Sequence, residues 1–226
     1  HTLIYTIKKK LQFLFKKFFY ELFKIIYINI KDFESAETNI NTKIRMSQIE
    51  ENFNYKVFFV NNSRIYTDTI NDTAIIQNNK IIEGPSFQIR NFKFNNIKDN
   101  IVFTKGTPRI KKKINGTLLS LLTGGAGNDN YWHWLFDVLP RIQIVSNIID
   151  INKIDFFLLP NIEKNFQKET LNLLNIPHEK RLFSKKHRHI ECDQIISTEH
   201  PYVIKNDAPN EIQNLPSWII NWLKKN

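Results

Sequence analysis

Apolar residues recur at helical spacing along the first thirty residues of the chain. Leu11 and Phe18 fall on one side of such a helix and Lys9 and Lys16 on the other, as is typical of an amphipathic helix. Lysines interrupt the apolar positions too often for a bilayer-crossing segment, which needs about 18 or more consecutive apolar residues. The pattern predicts a basic amphipathic helix over residues 1–31.

The sequence does not decide what covers the apolar face of this helix. An amphipathic pattern shows that one face is buried, but not by what. Lysines opposite a phenylalanine-rich face suit an anionic membrane surface. The alternative is packing on the rest of the chain or on a partner protein.

The pattern changes after residue 31. Residues 32–54 are polar, contain few aromatic residues and have no sustained period, so they predict a linker. A β-rich segment follows, with strand-like stretches at 55–60, 74–77 and 80–83. Asn78 and Asn79 separate the last two stretches and tolerate the positive φ of a tight hairpin turn.

From Gly116 onward, strand and helix patterns alternate. They comprise a strand at 117–123, a helix at 131–147, a strand at 154–159, a helix at 164–174 and a strand at 190–197. Strands that alternate with helices form parallel sheets with right-handed crossovers. The sequence therefore predicts an α/β fold with a Rossmann-like parallel half-sheet, in a domain that spans residues 55–226.

Charge changes this picture little. The net charge of the 226 residues is +10, but frequent Ile, Lys, Asn and Phe are typical of AT-rich genomes. The positive charge is concentrated in residues 1–31, 93–113 and 179–188. These basic segments come without zinc-finger spacing, an RNP-like aromatic string or a basic region followed by heptads. We therefore expect no nucleic-acid partner.

The only cysteine, Cys192, excludes an internal disulfide and favours a reducing, cytoplasmic location. Together with three nearby histidines it suggests zinc, but the spacing matches no strong zinc pattern. The flanking cations would oppose a metal ion, so we expect none. The residues concerned are His187, His189, His200, Lys185, Lys186 and Arg188.

A glycine-rich loop joins the strand at 117–123 to the next helix. Gly124, Gly125 and Gly127 let the backbone turn sharply and present unpaired amides at a helix start, where a phosphate group binds well. The dinucleotide fingerprint requires a third glycine where Asn130 stands. The loop therefore does not predict a dinucleotide site.

The helix after this loop carries three ionisable residues at four-residue spacing. Asn128, Asp129 or Asn130 can cap it, and His133, Asp137 and Arg141 form one polar stripe among apolar residues. Buried ionisable groups either satisfy one another or face a ligand. From the residues alone, the simpler interpretation is a structural pair between Asp137 and Arg141, with a kink or helix end at Pro140.

The stretch NYWHWLFDVLPRI, residues 130–142, resembles the signature of glycosyltransferase family 61. In that signature a glycine-rich turn leads into Asn, Tyr, an aromatic residue and His, followed by an apolar helix that ends in Leu-Pro-Arg. The matching residues are Asn130, Tyr131, His133, Trp134, Leu139, Pro140 and Arg141. A looser likeness covers residues 116–201.

This resemblance implies an inverting sugar transferase of the GT-B type. Such an enzyme has two Rossmann-like domains, the first for a glycan acceptor and the second for a nucleotide-sugar donor, usually without a metal or other cofactor. Bacterial relatives act in capsular or other surface polysaccharide synthesis. Residues 55–226 correspond to the acceptor side, and because no donor-binding motif follows them, we expect the chain to be a fragment.

The resemblance also suggests roles for individual residues. His133 is the candidate catalytic base, with Asp137 orienting it or acting as the base itself. Candidate substrate-binding residues are Gly124, Gly125, Gly127, Asn130, Tyr131, Trp132 and Arg141. The alternative function is a non-catalytic scaffold with a Rossmann-like domain, held on the inner face of the membrane by residues 1–31.

Overall fold

The computed structural model describes residues 2–68, 72–90, 93–122, 124, 130–204 and 215–226. Its helices are α1 (Thr2–Ile26), α2 (Val102–Lys105), α3 (Tyr131–His133), α4 (Pro140–Ser146), α5 (Asn165–Leu173) and α6 (Ser217–Lys225). A π-helical turn, Trp134–Val138, joins α3 to α4. Short 3-10 turns lie at Ile97–Asp99, Ile151–Lys153 and His178–Lys180.

Twelve strands are present in the described residues. They are β1 (Asp32–Ser35), β2 (Thr42–Glu50), β3 (Phe53–Thr67), β4 (Thr73–Gln77), β5 (Lys80–Glu83), β6 (Ile89–Arg90), β7 (Lys93–Phe94), β8 (Lys112–Lys113), β9 (Thr117–Ser120), β10 (Phe156–Leu159), β11 (Arg181–Phe183) and β12 (His189–Thr198). Ten of them form one mixed sheet. Eight of these follow the order β1-β5-β4-β3-β12-β9-β10-β11, and the other two, β2 and β8, pair with β3 and β12. Strands β6 and β7 form a separate pair.

The second half of the chain forms most of the parallel part of this sheet. Strand β9 pairs in parallel with β10 and with β12, and β10 pairs in parallel with β11. The helices after β9 and β10 contribute Trp134 and Leu171 to one core on the same face of the sheet. The predicted alternation of strands and helices, and the mixed α/β class, are confirmed.

The order of the parallel strands has a consequence for ligand binding. Strand β12 lies beside β9, with Ile195 opposite Leu118, although the chain passes through β10 and β11 between them. Such a reversal of strand order opens a crevice at the carboxyl ends of the strands in α/β sheets. In this chain that edge lies where β9 ends at Ser120 and β12 ends at Thr198.

The amino-terminal half of the sheet corrects one prediction. Residues 32–54 were expected to form a linker, but they contain β1 and β2, and β2 pairs along β3. Strand β2 pairs only with β3 and most of its side chains stay partly or fully exposed. A polar edge strand of this kind lacks the alternation that marks a half-buried strand. Ser47 is its buried exception and donates a hydrogen bond to the Ile144 carbonyl oxygen at 2.7 Å.

The predicted hairpin between β4 and β5 is confirmed. Asn78 and Asn79 have φ values of 49° and 59°, and Gln77 lies opposite Lys80. Two consecutive residues with positive φ match the turn that fits the right-handed twist of hairpin strands.

Helix α1 packs on the remainder of the chain only near its carboxyl end. Residues 4–19 are exposed on every side of the helix, so no described part of the chain covers its apolar face. No helix in the described part of the chain offers the length of apolar sequence that a bilayer crossing requires.

The burial of α5 gives a matched pair for testing the fold. We expect Leu171→Ala to lower the free energy of unfolding by about 2–5 kcal/mol, because the fully buried Leu171 fills the core between helices and sheet. Leu173 lies two residues away, and its side chain is 64% exposed. We therefore expect Leu173→Ala to change the free energy of unfolding by no more than about 0.5 kcal/mol. Urea unfolding monitored by circular dichroism measures both, and equal losses would contradict this packing.

Candidate functional site

The polar groups predicted from the sequence lie at the carboxyl ends of β9 and β12. Helix α3 begins after the loop that follows β9, and Asn130 caps it by accepting a hydrogen bond from the Trp132 amide at 2.9 Å. This cap, one of the three that the sequence allows, fixes the first turn of the helix. His133 ends that turn, in the segment that follows the carboxyl end of β9.

His133 and Asp137 form a hydrogen-bonded dyad. Nδ1 of His133 lies 2.7 Å from Oδ2 of Asp137. The Asp137 side chain is only 2% exposed, whereas that of His133 is 32% exposed. A carboxylate accepts hydrogen bonds, so the Nδ1 proton points to Asp137 and the lone pair of the neutral ring is on Nε2. The partly exposed imidazole is therefore held in the tautomer that can take a proton at Nε2.

A loop after β12 supplies the other partners of Asp137. The Tyr202 hydroxyl donates a hydrogen bond to Oδ1 at 2.6 Å, and Nε2 of His200 lies 3.8 Å from the same oxygen. We refer to His133, Asp137, His200 and Tyr202 as the Asp137 cluster. It joins the helix after β9 to the loop after β12, and neither segment alone contains it.

Hydrogen bonding keeps Asp137 ionised. Burial alone raises the pKa of Asp137, but the hydrogen bonds from His133 and Tyr202 and the nearby His200 ring outweigh burial and leave the pKa below its ordinary value. A buried, ionised and doubly hydrogen-bonded carboxylate orients its partners. Of the two roles predicted for Asp137, the geometry favours orientation of His133 over direct proton abstraction.

His200 lies in an aromatic cage. Its Nδ1 hydrogen bonds to the Tyr202 carbonyl oxygen at 2.9 Å, and its ring packs edge-on against Phe87, Phe94 and Tyr202. Burial lowers the pKa of His200 to about 4, so the ring is neutral at pH 7. Its Nε2 is buried and has no hydrogen-bond partner among the described residues.

Arg141 is completely buried beneath the cluster. Its Nε donates to the Asp137 carbonyl oxygen at 2.8 Å and its Nη1 donates to the Thr198 carbonyl oxygen at 3.2 Å. The guanidinium also lies over the Phe87 ring, 5.0 Å from its centre. Arg141 thus ties the helix to the last residue of β12. Of its two predicted roles, structural partner or substrate-binding residue, this geometry favours the first.

The expected side-chain pair between Asp137 and Arg141 does not form, because the carboxylate is turned toward His133 and Tyr202. An end or kink was expected at Pro140, and the α-helical pattern is interrupted there: α3 ends at His133, a π turn follows, and α4 begins at Pro140. The Leu139 amide donates to the Trp134 carbonyl oxygen at 3.1 Å, five residues back. This π turn accommodates a proline, which has no amide hydrogen to give to the usual ladder.

Gly124 has a steric reason to be glycine. Its φ is +71°, and a Cβ there would lie 2.4 Å from the Phe87 carbonyl oxygen. The Ile89 amide donates a hydrogen bond to the Gly124 carbonyl oxygen at 2.6 Å. This close approach holds the segment that carries Phe87 against the cluster. Gly125 and Gly127 lie outside the described residues.

The remaining predicted contact residues lie on the outer side of α3. Tyr131 is exposed and packs edge-on against Phe166, with ring centres 5.0 Å apart. Trp132 packs against Phe136 at 4.2 Å. Neither residue contacts Asp137 in the described structure, and their predicted role in substrate binding stays a prediction.

A cavity of about 650 Å³ adjoins the cluster. His200 and Tyr202 form part of its wall, which also contains four further aromatic side chains and several amide and carboxylate groups. Sequence reasoning missed this cavity and the role of Tyr202. The wall includes Phe53, Tyr55, Glu83, Phe87, Phe94 and Asn95.

The alternative zinc ligands do not come together. His189 stands at the first residue of β12, where its Nε2 contacts Arg64 at 2.8 Å, whereas His200 lies beyond the other end of that strand. The zinc interpretation would require both residues at one ion. In the described ranges, no group of three or more His, Cys, Asp or Glu side chains is placed to hold a metal ion.

Comparison with known proteins gives no relative: no protein-family model, curated protein or solved structure matches the chain. A function must therefore be inferred from the residues and their geometry.

The buried histidines predict acid sensitivity. The pKa of His200 falls from an ordinary 6.5 to about 4 because of burial, and burial has the same effect on His189. Between these pH values the unfolded chain binds protons that the folded chain does not, so stability is lost as the pH falls from 6.5 toward 4. We expect the melting temperature of His200→Gln to depend less on pH across this window than that of the unmodified chain. Exposed His178 is the control, and its change to Gln should leave the dependence intact; an unaltered slope in His200→Gln would refute the burial argument.

Proposed function

We propose that this chain is the acceptor-side part of an inverting glycosyltransferase of the GT-B type, related to glycosyltransferase family 61. The observation that carries the proposal is the His133–Asp137 dyad, in which a buried carboxylate 2.7 Å from Nδ1 leaves Nε2 of a partly exposed imidazole as the proton acceptor. The dyad lies within the residues 130–142 that resemble the family signature.

The reaction requires a base at this position. As the acceptor hydroxyl oxygen attacks the anomeric carbon of the donor sugar, its proton passes to Nε2 of His133. The new oxygen–carbon bond forms on the face opposite the diphosphate, whose bond to that carbon breaks, and the configuration inverts. Asp137 stabilises the imidazolium that forms at His133, and Tyr202 keeps the carboxylate in place.

The aromatic cavity beside the cluster fits a glycan acceptor. The apolar faces of sugar rings pack on aromatic side chains, and sugar hydroxyls hydrogen bond to amide and carboxylate groups. Phe87 and Phe94 supply aromatic surface, while Asn95 and Glu83 supply polar groups in the same wall. By resemblance, the nucleotide-sugar donor is assigned to a second Rossmann-like domain.

The biological role that follows is surface or capsular polysaccharide synthesis on the cytoplasmic side of the membrane. This part of the proposal rests on the resemblance alone. The chemistry described above uses a base and needs neither a metal ion nor another cofactor.

The test is transfer from a panel of nucleotide sugars to oligosaccharide acceptors by the full-length gene product. We expect His133→Ala to lower kcat by at least about 10²-fold, because a positioned base contributes about 10²–10⁴-fold. The melting temperature should change little, since the His133 side chain is one-third exposed. His178→Ala removes an exposed histidine elsewhere and should leave kcat unchanged. NMR of the product should show an inverted anomeric configuration.

Full activity in His133→Ala, or a product with retained configuration, would refute the mechanism. Asp137→Asn and Tyr202→Phe separate orientation from base chemistry. Both should lower kcat, with the larger loss at Asp137, because Asp137 contacts the base directly, whereas the Tyr202 hydroxyl reaches the base through Asp137.

A second candidate is a non-catalytic membrane scaffold, which the exposed apolar face of α1 favours. It predicts no sugar transfer with any donor and no effect of His133→Ala on the cellular phenotype.

A further inference from the structure

Helix α1 presents an apolar face that no described part of the chain covers. Leu11, Phe15, Phe18 and Ile25 point to one side of the helix and are 60–78% exposed. Exposed apolar area of this kind is costly in water and marks an interaction surface. The apolar face consists of Ile4, Ile7, Leu11, Leu14, Phe15, Phe18 and Ile25.

The charge on the rest of the helix surface is strongly basic, although Tyr5, Phe13 and Phe19 are also exposed there. Thr2–Ile26 carries six lysines and one glutamate. Glu21 is already paired with Lys24, with Oε1 and Nζ 2.9 Å apart. The basic face is therefore available for an external anion, next to a face that requires an apolar medium.

The carboxyl end of α1 is fixed to the domain. The Tyr27 ring packs edge-on against His189 with centres 4.9 Å apart, and its carbonyl oxygen accepts a hydrogen bond from Nη2 of Arg64 at 3.3 Å. The Tyr27 hydroxyl accepts a hydrogen bond from the Lys111 amide at 2.9 Å, and Ile30 is buried. An exposed helix with one anchored end can hold the domain at a defined position on a surface.

We infer that α1 lies in the plane of an anionic lipid bilayer, with its apolar face in the acyl boundary and its lysines at the lipid headgroups. Lipid satisfies both faces of the helix at once. A nucleic acid would neutralise the lysines but leave the phenylalanines in water. This inference does not depend on the proposed sugar transfer.

A second copy of the chain fits the charges less well. Lys10, Lys17 and Lys24 recur at seven-residue spacing beside the apolar face. Two such helices paired along that face would bring lysines to both borders of the contact, where coiled coils usually place opposite charges. Charge complementarity therefore favours an anionic surface.

The experiment is co-sedimentation with vesicles of phosphatidylcholine alone or mixed with about one-third phosphatidylglycerol. We expect binding to the anionic vesicles at least about 10-fold tighter than to neutral ones, since each lysine near such a surface adds to the attraction. Replacing Lys9, Lys10, Lys16 and Lys17 by Glu should abolish this preference. Phe15→Ser with Phe18→Ser should weaken binding at least about 10-fold at the same net charge.

Lys185→Glu with Lys186→Glu provides the matched control, because both side chains are exposed and far from α1 in the chain. This variant should bind anionic vesicles like the unmodified protein. All the variants change exposed residues, so unchanged melting temperatures verify folding. Equal pelleting of the α1 variants and the unmodified protein would overturn the inference. The inference would also be overturned if the protein formed oligomers that dissociate when Phe15 and Phe18 are changed to Ser. RNA binding that these changes leave intact, with no vesicle binding, would overturn it as well.

Discussion

The arrangement of the site depends on the satisfaction of one buried carboxylate. An ionised group inside a protein is tolerated only when it is hydrogen-bonded. Asp137 meets this requirement with His133 from its own helix and Tyr202 from the loop after β12. These bonds join two segments that are 65 residues apart in the chain. The same bonds fix the tautomer and direction of the His133 ring, so stability and the proposed base chemistry share one set of contacts.

Other contacts of the fold hold the Asp137 segment in place. Arg141 connects the Asp137 backbone to the end of β12, and the Phe87 ring covers its guanidinium. Gly124 lets the Phe87 segment approach closely enough to do so. The strand order places β9 beside β12 and so brings the two loops together. The hydrogen bonds, the packing and the strand order thus all place the Asp137 cluster at the carboxyl ends of β9 and β12.

Elements with a strong local pattern could be predicted from the sequence. The helix at 131–146, the strands β9, β10 and β12, and the Asn78–Asn79 hairpin follow from periodicity and turn chemistry. Strand β2 could not be predicted in this way, because its pairing depends on β3 and most of its side chains are exposed. Tyr202 and His200 were missed as partners of Asp137 because their contact depends on strand order. Their position directly after a predicted strand was the only available signal.

The central claim is that Asp137 holds His133 with its proton on Nδ1 and its lone pair on Nε2. Two-dimensional ¹H–¹⁵N NMR of the histidine rings measures this tautomer directly. For the neutral ring we expect a protonated Nδ1 of His133 with a downfield-shifted proton, an unprotonated Nε2, and loss of the downfield shift in Asp137→Asn. A His133 ring that carries its proton on Nε2, or a spectrum that Asp137→Asn leaves unchanged, would contradict it.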